Sequence, residues 1–262
     1  MSGCGNRPRR GRGPATGRGR PGHDPAATAL RPARVSWPAP VFIARELLPT
    51  WLLVISWAGW LLVLGTAVRY ADWRAIYRVS QRQHVLLGSS IACVALWLIS
   101  VRAIDGLWLH LLGVSCFTML LGWRFAIIGG SMAVIAHCLI IGQPIVAAAP
   151  AWVLTIFIPT TTTRYLVYRL RRLRSRNLFI YMLGAGFFGG ALCAALVAAG
   201  TMLAFAAIGK WDWIALCLEQ WPLLLLMMFP EGFINGMVIT TLTVFYPQLV
   251  KTFDEDHYLG EG

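Results

Sequence analysis

The residues best suited to binding or catalysis are polar groups that lie among apolar neighbours. Glu231 lies within the apolar run 222–246, with Pro230 before it and Gly232 after it. An ionisable side chain at membrane depth costs at least about 2.5 kcal/mol on insertion scales, so we expect it to have a specific role. Asn235 follows four residues later, on the same face of a helix. The pair predicts either a polar site on a substrate path or an interhelical hydrogen bond that fixes a bundle.

Three histidines that lie in apolar runs, or at the start of one, are the other candidates for binding or catalysis. His110 lies in the third run, His137 lies in the fourth beside Cys138, and His84 begins the second. Neutral imidazole is a common ligand of divalent transition metals. His110 and His137 are therefore predicted metal ligands, and the alternative is that they form hydrogen bonds inside a bundle. The six cysteines form no C-x-x-C pair and are expected to fill the core.

The elements that must position these groups are long apolar segments. Hydrophobic residues make up 57% of the 262 and charged residues 13%, where a soluble domain has about 25%, so an ordinary water-soluble enzyme is excluded. A membrane-spanning helix needs about 20 apolar residues. We predict an all-α polytopic membrane bundle of six or seven transmembrane helices. The candidate segments are 47–68, 84–101, 107–122, 125–142, 145–163, 178–208 and 222–246.

The two ends of the chain differ from this apolar domain, which we place at residues 45–250. Residues 1–44 are rich in Arg, Gly and Pro, and we predict a disordered tail. An alternative is that the product starts at Val35 or Val41. Residues 251–262 form an acidic tail. Nucleic acid is not an expected partner, because a basic balance in so apolar a chain is typical of arginine-rich loops beside a lipid bilayer.

Positive charge is distributed unevenly among the loops. The loops after the first, third and fifth segments hold eleven arginines, whereas those after the second, fourth and sixth hold only Arg102 and Lys210. The positive-inside rule therefore predicts a multi-pass protein of the bacterial inner membrane with a cytoplasmic C-terminus. Residues 165–176 interleave leucines with arginines and predict an amphipathic surface helix that docks a partner. The docking arginines are Arg169, Arg171, Arg172, Arg174 and Arg176.

Sequence motifs for nucleotide binding and hydrolysis do not occur. The chain has no Walker A sequence, no G-x-S-x-G and no H-E-x-x-H. We therefore expect no enzymatic activity, and energy for any transport must come from another polypeptide or from an ion gradient.

Several short motifs, in order along the chain, resemble those of a permease family. Residues 105–113 read Asp-Gly-Leu-Trp-Leu-His-Leu-Leu-Gly, and residues 229–236 read Phe-Pro-Glu-Gly-Phe-Ile-Asn-Gly, followed by Tyr-Pro-Gln-Leu-Val at 246–250. These are similar to the CbiM/NikM-type permeases of energy-coupling-factor transporters for cobalt and nickel. The likeness covers about residues 45–262 and is greatest to an uncharacterised proteobacterial branch.

The resemblance implies a permease that binds a transition-metal ion, cobalt or nickel, as cargo and holds no permanent cofactor. Its implied partners are a membrane coupling subunit and cytoplasmic ATPase subunits. His110 matches a family histidine, whereas the Met-His-Ile start of metal-binding members has no counterpart before Leu47. We expect Glu231, Asn235 and His110 to form the substrate path, with His137 behind them. The alternatives are a haem-binding anchor or electron-transfer subunit that uses His84, His110 and His137, and a scaffold without substrate.

Overall fold

The computed structural model describes residues 48–104, 107–172, 177–254 and 258. The predicted tail 1–44, together with Arg174 and Arg176, lies outside these residues. The described part contains nine helices and one short antiparallel hairpin. The helices are α1 Thr50–Tyr70, α2 Trp73–Arg78, α3 Ser80–Leu98, α4 Val114–Leu121, α5 Trp123–Ile140, α6 Ile145–Arg172, α7 Leu178–Ala207, α8 Trp211–Glu219 and α9 Trp221–Phe245, and the strands are β1 Val101–Ile104 and β2 Leu107–Leu109.

Five of these helices are long and apolar enough to cross a membrane, namely α1, α5, α6, α7 and α9. Their large apolar side chains point outward along much of their length, as with Leu62 on α1 and Leu226 on α9, which are 69% and 67% exposed. Such a surface is stable only in lipid. The prediction of an all-α polytopic membrane bundle is confirmed.

The second predicted segment forms α3, a helix of 19 residues that packs against α5. It is not among the five candidate spans, because its first turns carry the polar residues Ser80, Gln81, Arg82, Gln83 and His84.

The third predicted segment, 107–122, was expected to be one spanning helix, and this prediction is wrong. Its first part pairs as β2 with β1, and only Val114–Leu121 is helical. Gly113 has φ 67° and Gly122 has φ 75°, a left-handed region that favours glycine, so the helix has a glycine at each end. Gly122 alone separates α4 from α5, so the turn between these two helices is tight.

Prolines and glycines are accommodated by π-helical turns within α6 and α7. In α6, the turn Val153–Phe157 precedes Pro159, whose ring would clash with the carbonyl four residues before it in a regular α-helix. In α7, the turn Met182–Phe188 contains Gly184 and Gly186. Helix α9 continues through Pro230 without interruption.

The arginine-rich end of α6 is not the separate surface helix that its sequence predicts. Ile158–Arg172 is one continuous helix, and its leucines pack against glycines of α7. A Cβ atom built on Gly184 would lie 3.2 Å from Leu170, and one on Gly189 would lie 3.1 Å from Leu166. The leucine face is therefore covered by α7, whereas the face that carries the arginines, together with Tyr165 and Tyr168, remains exposed.

The short helix α4 lies at the centre of the bundle. It contacts α3, α5, α6, α7 and α9, and six of its eight residues are buried. A helix leaves its first N–H groups and last carbonyls without partners inside the helix. Because both ends of α4 lie within the protein, other elements must supply these partners.

Candidate functional site

Glu231 binds the backbone just before α4. Its Oε2 accepts a hydrogen bond from the Leu112 N–H at 2.7 Å, and its Oε1 accepts one from the Gly113 N–H at 2.9 Å. The side chain is 2% exposed. A carboxylate at this position also lies at the positive end of the α4 dipole, which favours negative charge. Glu231 therefore supplies from α9 the cap that the sequence before α4 lacks.

Asn235 completes this cap from the next turn of α9. Its Oδ1 accepts a hydrogen bond from the Cys116 N–H at 2.8 Å. Its Nδ2 donates to the Glu231 carbonyl oxygen and to Glu231 Oε1, both at 2.7 Å. The sequence placed Asn235 and Glu231 on one face of a helix, and the structure confirms that placement. Their bonds to α4 are of the interhelical kind, and their place on a substrate path stays a prediction.

The loop 110–113 is held from a second side by α3. Trp97 donates its indole N–H to the Leu112 carbonyl at 3.1 Å, so both backbone groups of Leu112 are bonded to side chains of other helices. His110 lies at the start of this loop and is partly buried, with Nδ1 3.3 Å from the Leu111 carbonyl oxygen. A protonated Nδ1 donates to that carbonyl, and in this tautomer Nε2 carries the lone pair that a metal ion binds.

His137 lies behind this loop, on α5. Its ring packs edge-on against Trp97 with centroids 5.8 Å apart, and its Nδ1 is buried without a hydrogen-bond partner in the part of the chain that the structure describes. His84 lies elsewhere, exposed on α3, with Nε2 3.2 Å from the Ser80 hydroxyl. Within the described residues, no three His, Cys, Asp or Glu side chains are close enough to hold a metal ion. The metal roles of His110 and His137 stay predictions.

The opposite end of α4 is held by the segment after α9. The Met119 carbonyl accepts hydrogen bonds from the backbone N–H and the hydroxyl of Thr252, at 3.1 and 3.0 Å, and the Leu120 carbonyl accepts one from the Lys251 N–H. The Tyr181 hydroxyl lies 2.8 Å from the Thr252 hydroxyl, and because the latter donates to Met119, Tyr181 donates to it. Both ends of α4 are thus bonded to α9 or to the residues that follow it.

Aromatic packing buries the end of this segment. Tyr258 lies with its ring 5.4 Å from that of Phe253 and 5.2 Å from that of Tyr181. Burial raises the pKa of the Tyr258 phenol above its usual range, Arg171 lowers it and Asp254 raises it further. The phenol therefore stays neutral at physiological pH, which suits its apolar surroundings.

Close contact between α7 and α9 positions the two capping residues. A Cβ atom on Gly190 would lie 3.1 Å from Asn235 Nδ2 and from the Glu231 carbonyl oxygen, and one on Gly186 would lie 3.1 Å from Gly236 Cα. Gly186 and Gly190 lie four residues apart on α7, and small residues at this spacing allow two helix backbones to approach closely.

Two contributors to the site could not be identified from the sequence. Neither Trp97 nor Thr252 was among the predicted site residues, and they lie 15 and 133 residues from the carbonyls they bond. Gly113 gave a signal, since it ends the His-Leu-Leu-Gly motif, but its left-handed backbone was not predicted.

Of the predicted docking arginines, the three that the structure describes, Arg169, Arg171 and Arg172, are exposed near the end of α6. Arg169 lies over the ring of Tyr165 at 5.9 Å, and Arg172 lies over that of Tyr168 at 4.6 Å. These contacts are between residues of one helix, so the cationic groups stay at the surface. The arginine face is therefore available to an external partner.

The fold and the site together define a polytopic membrane protein with a central short helix held at both ends. Residues 42–249 match the family model CbiM, described as the cobalt uptake substrate-specific transmembrane region. The chain belongs to this family, as its motifs predicted. No curated protein and no solved structure gives a significant match. Because of the family match, we identify the chain as an integral membrane component of a transporter for cobalt uptake that works with other transporter subunits.

Proposed function

We propose that the chain is the substrate-binding permease of an energy-coupling-factor type transporter, with cobalt or nickel as its transported ion. The observation that carries this proposal is the family match over residues 42–249. The absence of a Walker A sequence from the chain supports separate ATPase subunits. The protein lies in the bacterial inner membrane with its C-terminus in the cytoplasm, as the arginine distribution favours.

In this proposal the loop 110–113 presents His110 to the ion. Glu231, Asn235 and Trp97 act through the backbone of Leu112, Gly113 and α4, and they fix where the imidazole lies. Partners that orient a metal ligand typically affect metal affinity by about 10- to 100-fold.

A membrane coupling subunit docks on the arginine face of α6 and links the permease to the ATPases. The face is exposed and cationic, and its apolar side is covered by α7. The expected partner surface is therefore acidic, because complementary charge favours association.

Cobalt uptake tests the proposal. Cells that carry the chain with a coupling subunit and ATPases are compared with cells in which His110→Gln replaces the wild type. We expect uptake to fall on the order of tenfold or more. His84→Gln is the matched control, since His84 is exposed on α3 and away from the loop. Equal uptake by wild type and His110→Gln would remove His110 from the ion path.

A further inference from the structure

A cavity lies at the end of α4 that is away from the loop 110–113. It has a volume of about 220 Å³ and lies between α6, the start of α5 and the segment after α9. Three cationic residues line it, namely Arg164, Arg171 and Lys251, and none of its described lining residues is an aspartate or a glutamate. The described lining of the cavity therefore carries a net positive charge.

Two of these cations are held in place by their neighbours. The Arg164 guanidinium lies over the Trp123 ring at 5.1 Å, and the Trp123 indole donates to the Thr161 hydroxyl. Arg171 donates one N–H to the Thr252 carbonyl at 2.7 Å. A guanidinium has five N–H donors, so each of these two arginines keeps donors that can bind a ligand. The cavity thus offers positioned donors rather than freely moving side chains.

This charge and size favour a phosphate group as the ligand. Arginine binds phosphate through paired N–H donors, and a lysine adds a point charge. Pockets for whole drug-sized molecules usually measure about 300–1,000 Å³, so a cavity of about 220 Å³ suits a phosphate rather than a complete nucleotide.

The position of the cavity indicates the source of the phosphate. It opens at the arginine-rich end of α6, which is the end where the positive-inside rule places anionic lipid headgroups. We infer that Arg164, Arg171 and Lys251 form a site for the phosphate of an anionic phospholipid, which bridges α6 to the segment that holds α4. This site does not depend on the transported ion.

Native mass spectrometry of the purified full chain tests the inference. The protein is loaded with phosphatidylglycerol or, separately, with the zwitterionic phosphatidylcholine, and retained lipid is counted. Arg164→Gln and Lys251→Gln each remove one cation and should lower phosphatidylglycerol retention by about fivefold. Arg169→Gln is the matched control, because Arg169 lies on the same helix outside the lining. A parallel arm measures the thermal shift that inorganic phosphate produces.

The lipid and phosphate measurements together distinguish three outcomes. Selective retention of phosphatidylglycerol that both variants lose and the control keeps would support the lipid site. A phosphate-induced shift with the same variant dependence, but no lipid selectivity, would support a phosphate site filled from solution and overturn the lipid source. Equal lipid retention and equal phosphate response in wild type and both variants would overturn the site. No arm uses transport, so these outcomes are independent of the proposed function.

Discussion

At the scale of single residues, the informative feature is that the Glu231 carboxylate accepts three hydrogen bonds. Both carboxylate oxygens accept hydrogen bonds, from Leu112, Gly113 and Asn235. An acid in lipid is costly unless such partners satisfy it. The same bonds satisfy backbone N–H groups that would otherwise be buried without acceptors. Glu231 and the turn before α4 therefore stabilise each other.

Glu231→Gln tests this arrangement with almost no change in shape. The amide NH₂ would face backbone and Asn235 donors, so at least one hydrogen bond is lost and two donors meet. We expect a loss of about 1–3 kcal/mol in the free energy of unfolding, measured by denaturation in detergent. Cobalt uptake should fall as well, because the loop with His110 loses its anchor.

The matched control is Glu219→Gln, at the exposed end of α8, for which we expect a change within about 0.5 kcal/mol. Unchanged stability and unchanged uptake in Glu231→Gln would exclude both the capping role and a role on the substrate path.

Gly190→Ala tests whether the close approach of α7 to α9 matters. The new methyl group would lie 3.1 Å from Asn235 Nδ2, from the Glu231 carbonyl oxygen and from Gly232 Cα. Two of these are backbone atoms, so α9 must move and the capping bonds must lengthen. We expect a loss of about 1–3 kcal/mol, the usual range for overpacking, read as a lower melting temperature.

Gly65→Ala on α1 is the control, because a Cβ atom there meets nothing within 4 Å. Replacing a helical glycine at such a site should stabilise by about 0.5–1 kcal/mol. Equal effects at both positions would contradict the packing argument.

At the scale of elements, α4 explains which parts of the fold the sequence predicts. The long helices follow from apolar runs, and observed ends such as Trp221 and Phe245 of α9 lie within one residue of the predicted ones. The segment 107–122 is equally apolar, but apolar content alone does not distinguish a spanning helix from a hairpin, a loop and a short helix. Its structure depends on contacts with Glu231 and Thr252, more than 110 residues away.

The candidate site shows the same division between local and distant information. The pairing of Glu231 with Asn235 follows from their spacing of four residues. Their main partners are the backbone N–H groups of Leu112, Gly113 and Cys116. Since almost every residue has such a group, the side-chain types in the sequence do not identify these partners. Site residues on one helix can therefore be predicted, whereas the element that they hold cannot.

Thr252→Val tests the far end of α4. Valine keeps the shape but removes the hydroxyl that donates to Met119 and accepts from Tyr181. We expect a loss of about 0.5–1.5 kcal/mol and faster amide hydrogen exchange at Gly122, where α4 ends. Thr201→Val is the control, since its hydroxyl bonds only the Val197 carbonyl of its own helix in the described structure. Exchange at Gly122 that is unaffected by Thr252→Val would show that the backbone bonds suffice.

At the scale of the whole molecule, the protein has one apolar surface and one cationic surface, and each contacts a different environment. The outward apolar side chains of α1 and α9 require lipid, whereas the end of α6 presents arginines to water. Arg171 joins the second surface to the interior, because it bonds the Thr252 carbonyl while the Thr252 N–H bonds Met119 of α4. A partner on α6 is thus two residues away from the central helix.

Charge reversal on α6 tests the proposed docking. In a double variant, Arg169→Glu with Arg172→Glu, an acidic partner surface would meet like charge, which weakens association. We expect the amount of co-expressed coupling subunit recovered with the permease to fall on the order of tenfold. Both arginines are exposed, and each lies over an aromatic ring of α6 itself, so the melting temperature should stay nearly unchanged.

Arg74→Glu on α2 removes the same kind of charge from another exposed arginine and should leave recovery intact. Salt gives an independent check, since attraction between exposed charges is screened beyond about 8 Å at 0.15 M ionic strength. Recovery with wild type should therefore decline as salt rises, and recovery with the double variant should start low and change little. A salt-independent complex that survives the reversal would place the coupling subunit on an exposed apolar surface such as that of α1 or α9 instead, because burial of apolar surface is not weakened by charge screening.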